Sequence, residues 1–263
     1  MAVDGKYLFG ADYNLSTSSI TIDSFSIAAN GALSQVTSTS AANSGDGLGV
    51  LFLDHTGSSL YSARYESQFG SDVYQTFAVD NTTGALSYRG ETAASTEFGW
   101  RMSFIANNQY VYGANCNGDR TFAPDIFGFK RSPDQTLGQL NIQPKIPQPP
   151  KGKLFYCPFL AAADTSNHVA ISMDPIGSTT TGPIQLATYS ANKSGGLTTT
   201  STAGNMPRVT VGWVNTMWMS PSGKLLAVGG MNGLQVFHFN GANPIKPYTW
   251  LLTKDEIDQV FLG

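Results

Sequence analysis

The feature that most constrains this chain is a recurrence. Aromatic residues closing strand-like runs fall at Phe25, Phe77, Phe129, Tyr189 and Phe239, about 50 to 60 residues apart, the period expected of propeller blades. After each of the first four comes a polar turn and a Gly-x-Leu step: Gly31 with Leu33, Gly84 with Leu86, Gly138 with Leu140, Gly195 with Leu197. Glycine supplies the positive φ of a hairpin turn and leucine restarts a strand. The clearest such turn is Asp80-Asn81-Thr82-Thr83-Gly84.

A second turn precedes each aromatic-ended run. Asp54-His55-Thr56-Gly57 leads into Leu60-Tyr61, and Ser220-Pro221-Ser222-Gly223 into Leu225-Leu226. Asp4-Gly5-Lys6 and Asn107-Asn108-Gln109 repeat the pattern. Adding an apolar inner run such as Val50 to Leu53 or Met102 to Ala106 gives four strands per unit. The expectation is an all-β fold, a β-propeller of four-stranded antiparallel blades with about five blades in this chain.

The Ser220 to Leu226 run and the Phe77 to Leu86 run resemble repeats of the lactonase-type, or YVTN, β-propellers, which include 6-phosphogluconolactonase-like and muconate-lactonising enzymes. The resemblance extends over nearly the whole chain, and its motifs are structural. It implies seven blades, whereas 263 residues supply about five. Two expectations follow for residues 1–263 as one propeller domain. The chain is a fragment incomplete at both ends, its first blade lacking an inner strand, or a five-bladed ring in which Val260 to Leu262 completes the first blade. The histidine-containing Gly-Pro-Arg-His-type stretch of many 6-phosphogluconolactonase-like members is absent, which removes the easiest base for lactone hydrolysis.

Charged residues make up 13% of the chain and the net charge is -3. No basic run marks a nucleic-acid surface, and no apolar stretch of about 18 residues could form a membrane span. Met1 to Tyr7 lacks the build of a signal peptide, so the protein stays inside or its true start is missing. In the second case a periplasmic or secreted protein is expected. Cys116 and Cys157 have no metal-ligand spacing and read as two separate buried thiols rather than a disulfide.

Function is sought in the loops leading into the inner strands and those joining second to third strands, which in propellers gather around the central channel. The first set holds Asp46, Glu97, Trp100, Arg101, Lys151, Arg208, Trp213, Asp255 and Glu256; the second holds Asp12, Tyr13, Arg64, Glu66, Asn115, Asn117, Asp119 and Arg120. Guanidinium forks pair with carboxylate or phosphate. Asp46, Arg64, Trp100, Arg101, Arg208 and Trp213 are therefore the candidate contacts for a small anionic or sugar-like ligand, against the plainer reading of solvated loop charges. Glu97 with Arg101 is the pair that could replace the missing histidine. His55, His168 and His238 are not expected to converge, and neither a metal nor a cofactor is expected. Gly45-Asp46-Gly47-Leu48-Gly49 is a loop rather than a dinucleotide cradle. The glycosylation patterns at Asn14, Asn81 and Asn192 are of a kind that Ser/Thr-rich sequence produces by chance. The alternatives to a ligand-binding propeller are an extracytoplasmic scaffold for protein or glycan, and a sugar lactone hydrolase.

Overall fold

The computed structural model describes residues 2–14, 19–40, 47–66, 71–94, 102–116, 125–177 and 182–258. Among them lie five four-stranded antiparallel sheets. The first holds β1 (Ala2–Val3), β2 (Tyr7–Asn14), β3 (Ser19–Ile27) and β4 (Leu33–Ser40). The second holds β5 (Gly47–Leu53), β6 (Ser59–Glu66), β7 (Ser71–Val79) and β8 (Leu86–Ala94). The third holds β9 (Ser103–Phe104), β10 (Tyr110–Asn115), β11 (Asp125–Arg131) and β12 (Leu137–Gln139). In the fourth are β13 (Phe155–Ala163), β14 (His168–Ile176), β15 (Gln185–Ala191) and β16 (Leu197–Thr198), and in the fifth β17 (Val214–Met219), β18 (Leu225–Gly230), β19 (Gly233–His238) and β20 (Lys246–Pro247). Within each sheet every strand lies beside its sequence neighbours, the meander of a propeller blade. The chain divides into two compact units, Met1–Trp100 with Lys130–Gln139, and Arg101–Phe129 with Leu140–Gly263.

Three expectations change. The first sheet does have its inner strand, because Ala2 pairs with Phe9 and Val3 with Leu8. Register sets the aromatic landmark in the last sheet at Phe237: Phe25 faces Leu8, Phe77 faces Leu60, Tyr189 faces Val169, and Phe237 faces Leu226. Phe239 lies beyond β19, two positions on, and residues two apart share a strand face, so alternation alone does not separate them. The turn in the third repeat centres on Gln135 (φ 76), with Leu137 restarting the strand, instead of Gly138 and Leu140. The segment Val260 to Leu262 lies outside the described residues.

The turns between first and second strands share one device. A side-chain oxygen at the start of the turn accepts main-chain N–H groups: Asp4 from Lys6 and Tyr7, Asp54 from Ser58 and Ser59, Asn107 from Gln109, Asp164 from Ser166 and His168, and Ser220 from Leu225. This is the Asx-turn chemistry that favours such residues outside regular ladders.

Within each unit a second-strand aromatic fastens one sheet to the next. Tyr7 donates its hydroxyl to the Thr82 carbonyl at 2.6 Å, Tyr61 to Gln135 at 2.8 Å, Tyr110 to Lys193 at 2.9 Å and Tyr112 to Gly195 at 2.8 Å. All four acceptors lie in turns between third and fourth strands. The rings press on those turns: a Cβ on Gly195 (φ 84) would stand 2.8 Å from Tyr110 Cε1, and one on Gly241 (φ 61) 2.9 Å from His168 Cε1. Glycine therefore serves there for its missing side chain as well as its positive φ. In the second sheet the position matching Tyr7 and Tyr110 is Ser59, which has no ring to set against the turn, and Gln135 takes the glycine's place. Arg131 fills the space instead, donating to Ser59 Oγ at 2.7 Å and to the Tyr61 hydroxyl at 3.2 Å, and pairing with Asp54 at 3.3 Å.

Candidate functional site

Cys116, just past β10, and Cys157, within β13, form a disulfide with Cα atoms 5.2 Å apart. The separate thiols expected from sequence are thus joined. Cys157 follows Cys116 by 41 positions, across a repeat boundary, and nothing in that spacing indicates that β10 and β13 run as neighbours. The bond fastens the end of β10 opposite to the Tyr110 and Tyr112 contacts.

β13 is an edge strand broken by Pro158, which cannot donate to a ladder. Its pairing with β14 slips between Pro158 and Ala161. The Leu160 N–H is recovered by Ser172 Oγ at 3.0 Å. A bulge of this kind re-aims a side chain, and Phe159, which has no register partner, meets Trp213 edge to face at 5.2 Å. Trp213 immediately precedes β17, itself bulged between Val214 and Thr216. Cys157, Phe159, Ser172, Asp174, Ile184 and Trp213 line a small recess, with Val214 beside them, that has room for about one water molecule.

The chemistry of the recess centres on Asp174. It is register-opposite Cys157 and only 8% exposed, and its Oδ1 accepts no hydrogen bond from the described residues. Burial pushes its carboxyl up to about 6, with the charge of Lys153 acting in the opposite direction. A buried acid with a bare acceptor oxygen is short of the donor that its desolvation calls for. Nearby, Tyr156 donates to Gln185 Oε1 at 2.6 Å, while Gln185 Nε2 donates to the Met206 and Ala203 carbonyls. These bonds hold the segment before Trp213 against β15.

Of the residues expected to form a site, Trp213 lines the recess and is 47% exposed. Arg208 is exposed and bridges Gln185 through its backbone without lining the recess. Arg64 lies within β6, paired with Val73. Asp46, Glu97, Trp100 and Arg101 lie outside the described residues, as do Asn117, Asp119 and Arg120. Glu256 and Asp258 receive Asn215 Nδ2 at 3.5 and 3.2 Å. Among the described residues, no three His, Cys, Asp or Glu side chains are grouped to hold a metal, and no helix is long and apolar enough to cross a membrane.

His55 is exposed in its turn. His238 ends a third strand and meets Tyr248 edge to face at 4.5 Å. His168 pairs with Asp164 at 2.8 Å, an arrangement that sequence reasoning passed over. Asp174 was missed altogether; the signal available for it was a lone acid in the mostly apolar β14, beside Pro175.

No protein-family model matches the chain, and no curated protein matches it in sequence. Solved structures do. The periplasmic gluconolactonase PpgL of Pseudomonas aeruginosa superposes with a TM-score of 0.65 at 12% identity, over 98% of this chain and 70% of that one. A Bacteroides fragilis protein assigned as a 6-phosphogluconolactonase gives 0.59 at 12%, over 93% and 66%. The hydrazine synthase of Kuenenia stuttgartiensis gives 0.53 at 11%, over 90% and 63%. The chain thus spans about two thirds of the length of the structures it resembles. Partners with such different names share only the architecture, and the fold is that of a β-propeller.

Proposed function

We propose that this chain is a lactonase-like propeller that binds a small sugar-like ligand at the recess between Phe159, Trp213 and Asp174. The observation that carries this reading is the bare, buried Asp174 Oδ1 beside a half-exposed tryptophan. The recess takes one hydroxyl, which donates to Asp174, while the sugar ring lies on the Trp213 face. Arg208 on the neighbouring segment extends this to ligands carrying a carboxylate or phosphate. Isothermal titration with a panel of sugar lactones and the matching aldonates, with and without phosphate, tests it. Binding of at least one, weakened about tenfold or more by Trp213→Ala, is expected; no heat from any of them overturns the reading.

Sugar lactone hydrolysis is the second reading, with Asp174 in place of Glu97 and Arg101 as the base. A carboxyl raised to about 6 is poised for proton transfer near neutral pH. Turnover followed by pH-stat above the spontaneous rate, abolished by Asp174→Asn, would establish it. The disulfide favours an oxidising compartment, as in the extracytoplasmic reading for a protein or glycan partner. Maleimide labelling of the protein in its native cells would find both thiols blocked under that reading, and both labelled otherwise.

A further inference from the structure

The disulfide and the recess share a wall. Cys157 lines the cavity and stands directly across the ladder from Asp174. Opposed residues of an antiparallel pair point to the same face with Cβ atoms about 4.5 to 5.5 Å apart. Cys157 Sγ is bonded to Cys116 and has no hydrogen to give, while Asp174 Oδ1 beside it has none to accept. Lys153 is the cation acting on Asp174.

We propose that the Cys116–Cys157 disulfide is a redox switch for the recess: its reduction frees a Cys157 thiol whose hydrogen Asp174 Oδ1 accepts, withdrawing from a ligand the acceptor it would use. The reductant is a dithiol. Its two thiols form a cyclic disulfide, the Cys116–Cys157 bond takes up the two electrons, and each protein sulfur leaves with one hydrogen. The oxidised protein leaves Asp174 Oδ1 without a donor at the wall of the cavity; the reduced protein leaves it engaged. The proposal rests on the recess being the ligand site, and it is tested without any ligand.

The experiment compares two full-length variants that both lack the disulfide and so bear the same loss of cross-link. Cys116→Ala keeps the thiol opposite Asp174, and Cys157→Ala removes it. Carboxyl-labelled aspartate NMR, with the Asp174 signal assigned through Asp174→Asn, follows its titration from pH 4 to 8. A donor to the charged form lowers an acid's midpoint, so Cys116→Ala should titrate about half a unit or more below Cys157→Ala. Equal midpoints, or the reverse order, overturn the switch. Should either variant fail to fold, the equilibrium of the native disulfide with dithiothreitol serves instead. Asp174→Ala should shift that equilibrium about threefold towards the disulfide, and an unchanged ratio refutes the proposal. Failure of the ligand panel with an intact titration difference would remove the sugar reading alone, while successful ligand binding with equal midpoints would remove the switch alone.

Discussion

Two buried aspartates, in different sheets, show what burial of a charge is for in each place. Asp54 is surrounded by donors. The Ser58 and Ser59 main-chain N–H groups, the Thr56 and Ser58 hydroxyls and the Arg131 guanidinium all point at it, and its side chain is 0% exposed. Asp174 is almost as deeply placed, yet its Oδ1 goes without a partner among the described residues and burial raises its carboxyl. A satisfied buried charge fixes a local structure; an unsatisfied one carries an uncompensated desolvation cost, the basis of the proposed ligand contact. The first belongs to the fastening between the second and third repeats, the second to a cavity. The contrast also separates two ways of joining sheets: an arginine reaching back where the ring is missing, and a tyrosine pair reinforced by a disulfide.

The comparison breaks most visibly at the disulfide. Closing a loop of 41 residues contributes about 4 kcal/mol in the chain-entropy account. Replacing both cysteines by serine should lower the melting temperature markedly, and an unchanged melt would show that the tyrosine contacts hold that seam alone. Next comes pH. An acid raised from its usual value to about 6 binds its proton more tightly folded than unfolded. Its contribution is complete below about pH 4 and is lost as pH rises through about 6. At most about 3 kcal/mol is at stake, and denaturant titrations at pH 4 and 7.5 should converge in Asp174→Asn. Persistence of the full pH slope in that variant would place its origin elsewhere.

Smaller effects sharpen the contrast. Arg131→Met leaves Asp54 with its four neutral donors, so the expected loss in chemical denaturation is about 2 kcal/mol; a loss near zero would mean that those donors suffice. The turn positions should respond with opposite signs. Gly195→Ala must bear both a left-handed backbone and a clash with the Tyr110 ring, costing about 2 kcal/mol. Gln135→Gly relieves the same backbone where Ser59 stands in place of the Tyr110 ring, and should be neutral or stabilising by under about 1 kcal/mol. Destabilisation by both would refute the pairing of ring with glycine.

The repeat was legible because its markers are local. Gly31, Gly84 and Gly195 sit where a hairpin needs positive φ, and Phe77 and Tyr189 sit in the core, while Phe25, past a register shift, is only partly buried. The third turn misled because Gln135 adopts a glycine's conformation, which its side chain does not advertise. The site was mostly illegible for a different reason. Trp213 was found as an aromatic near a strand start, but Asp174 and the cysteine bond depend on which strands lie side by side, and spacing carries no trace of that. Seeking charge in loops pointed away from a charge hidden within a strand.

The ring-over-glycine contacts bear on how such an array could be inherited and rearranged. Each repeat carries one half of a lock whose other half is written in the repeat that follows: Tyr110 requires the bare Gly195, and Ser59 tolerates Gln135 because Arg131 occupies the gap. Copies of this unit are therefore not interchangeable beads. A shuffled gene that set the Tyr110 repeat before the Gln135 turn would bring a phenol ring against a side chain with nowhere to go, so the order of the repeats is itself encoded, one junction at a time.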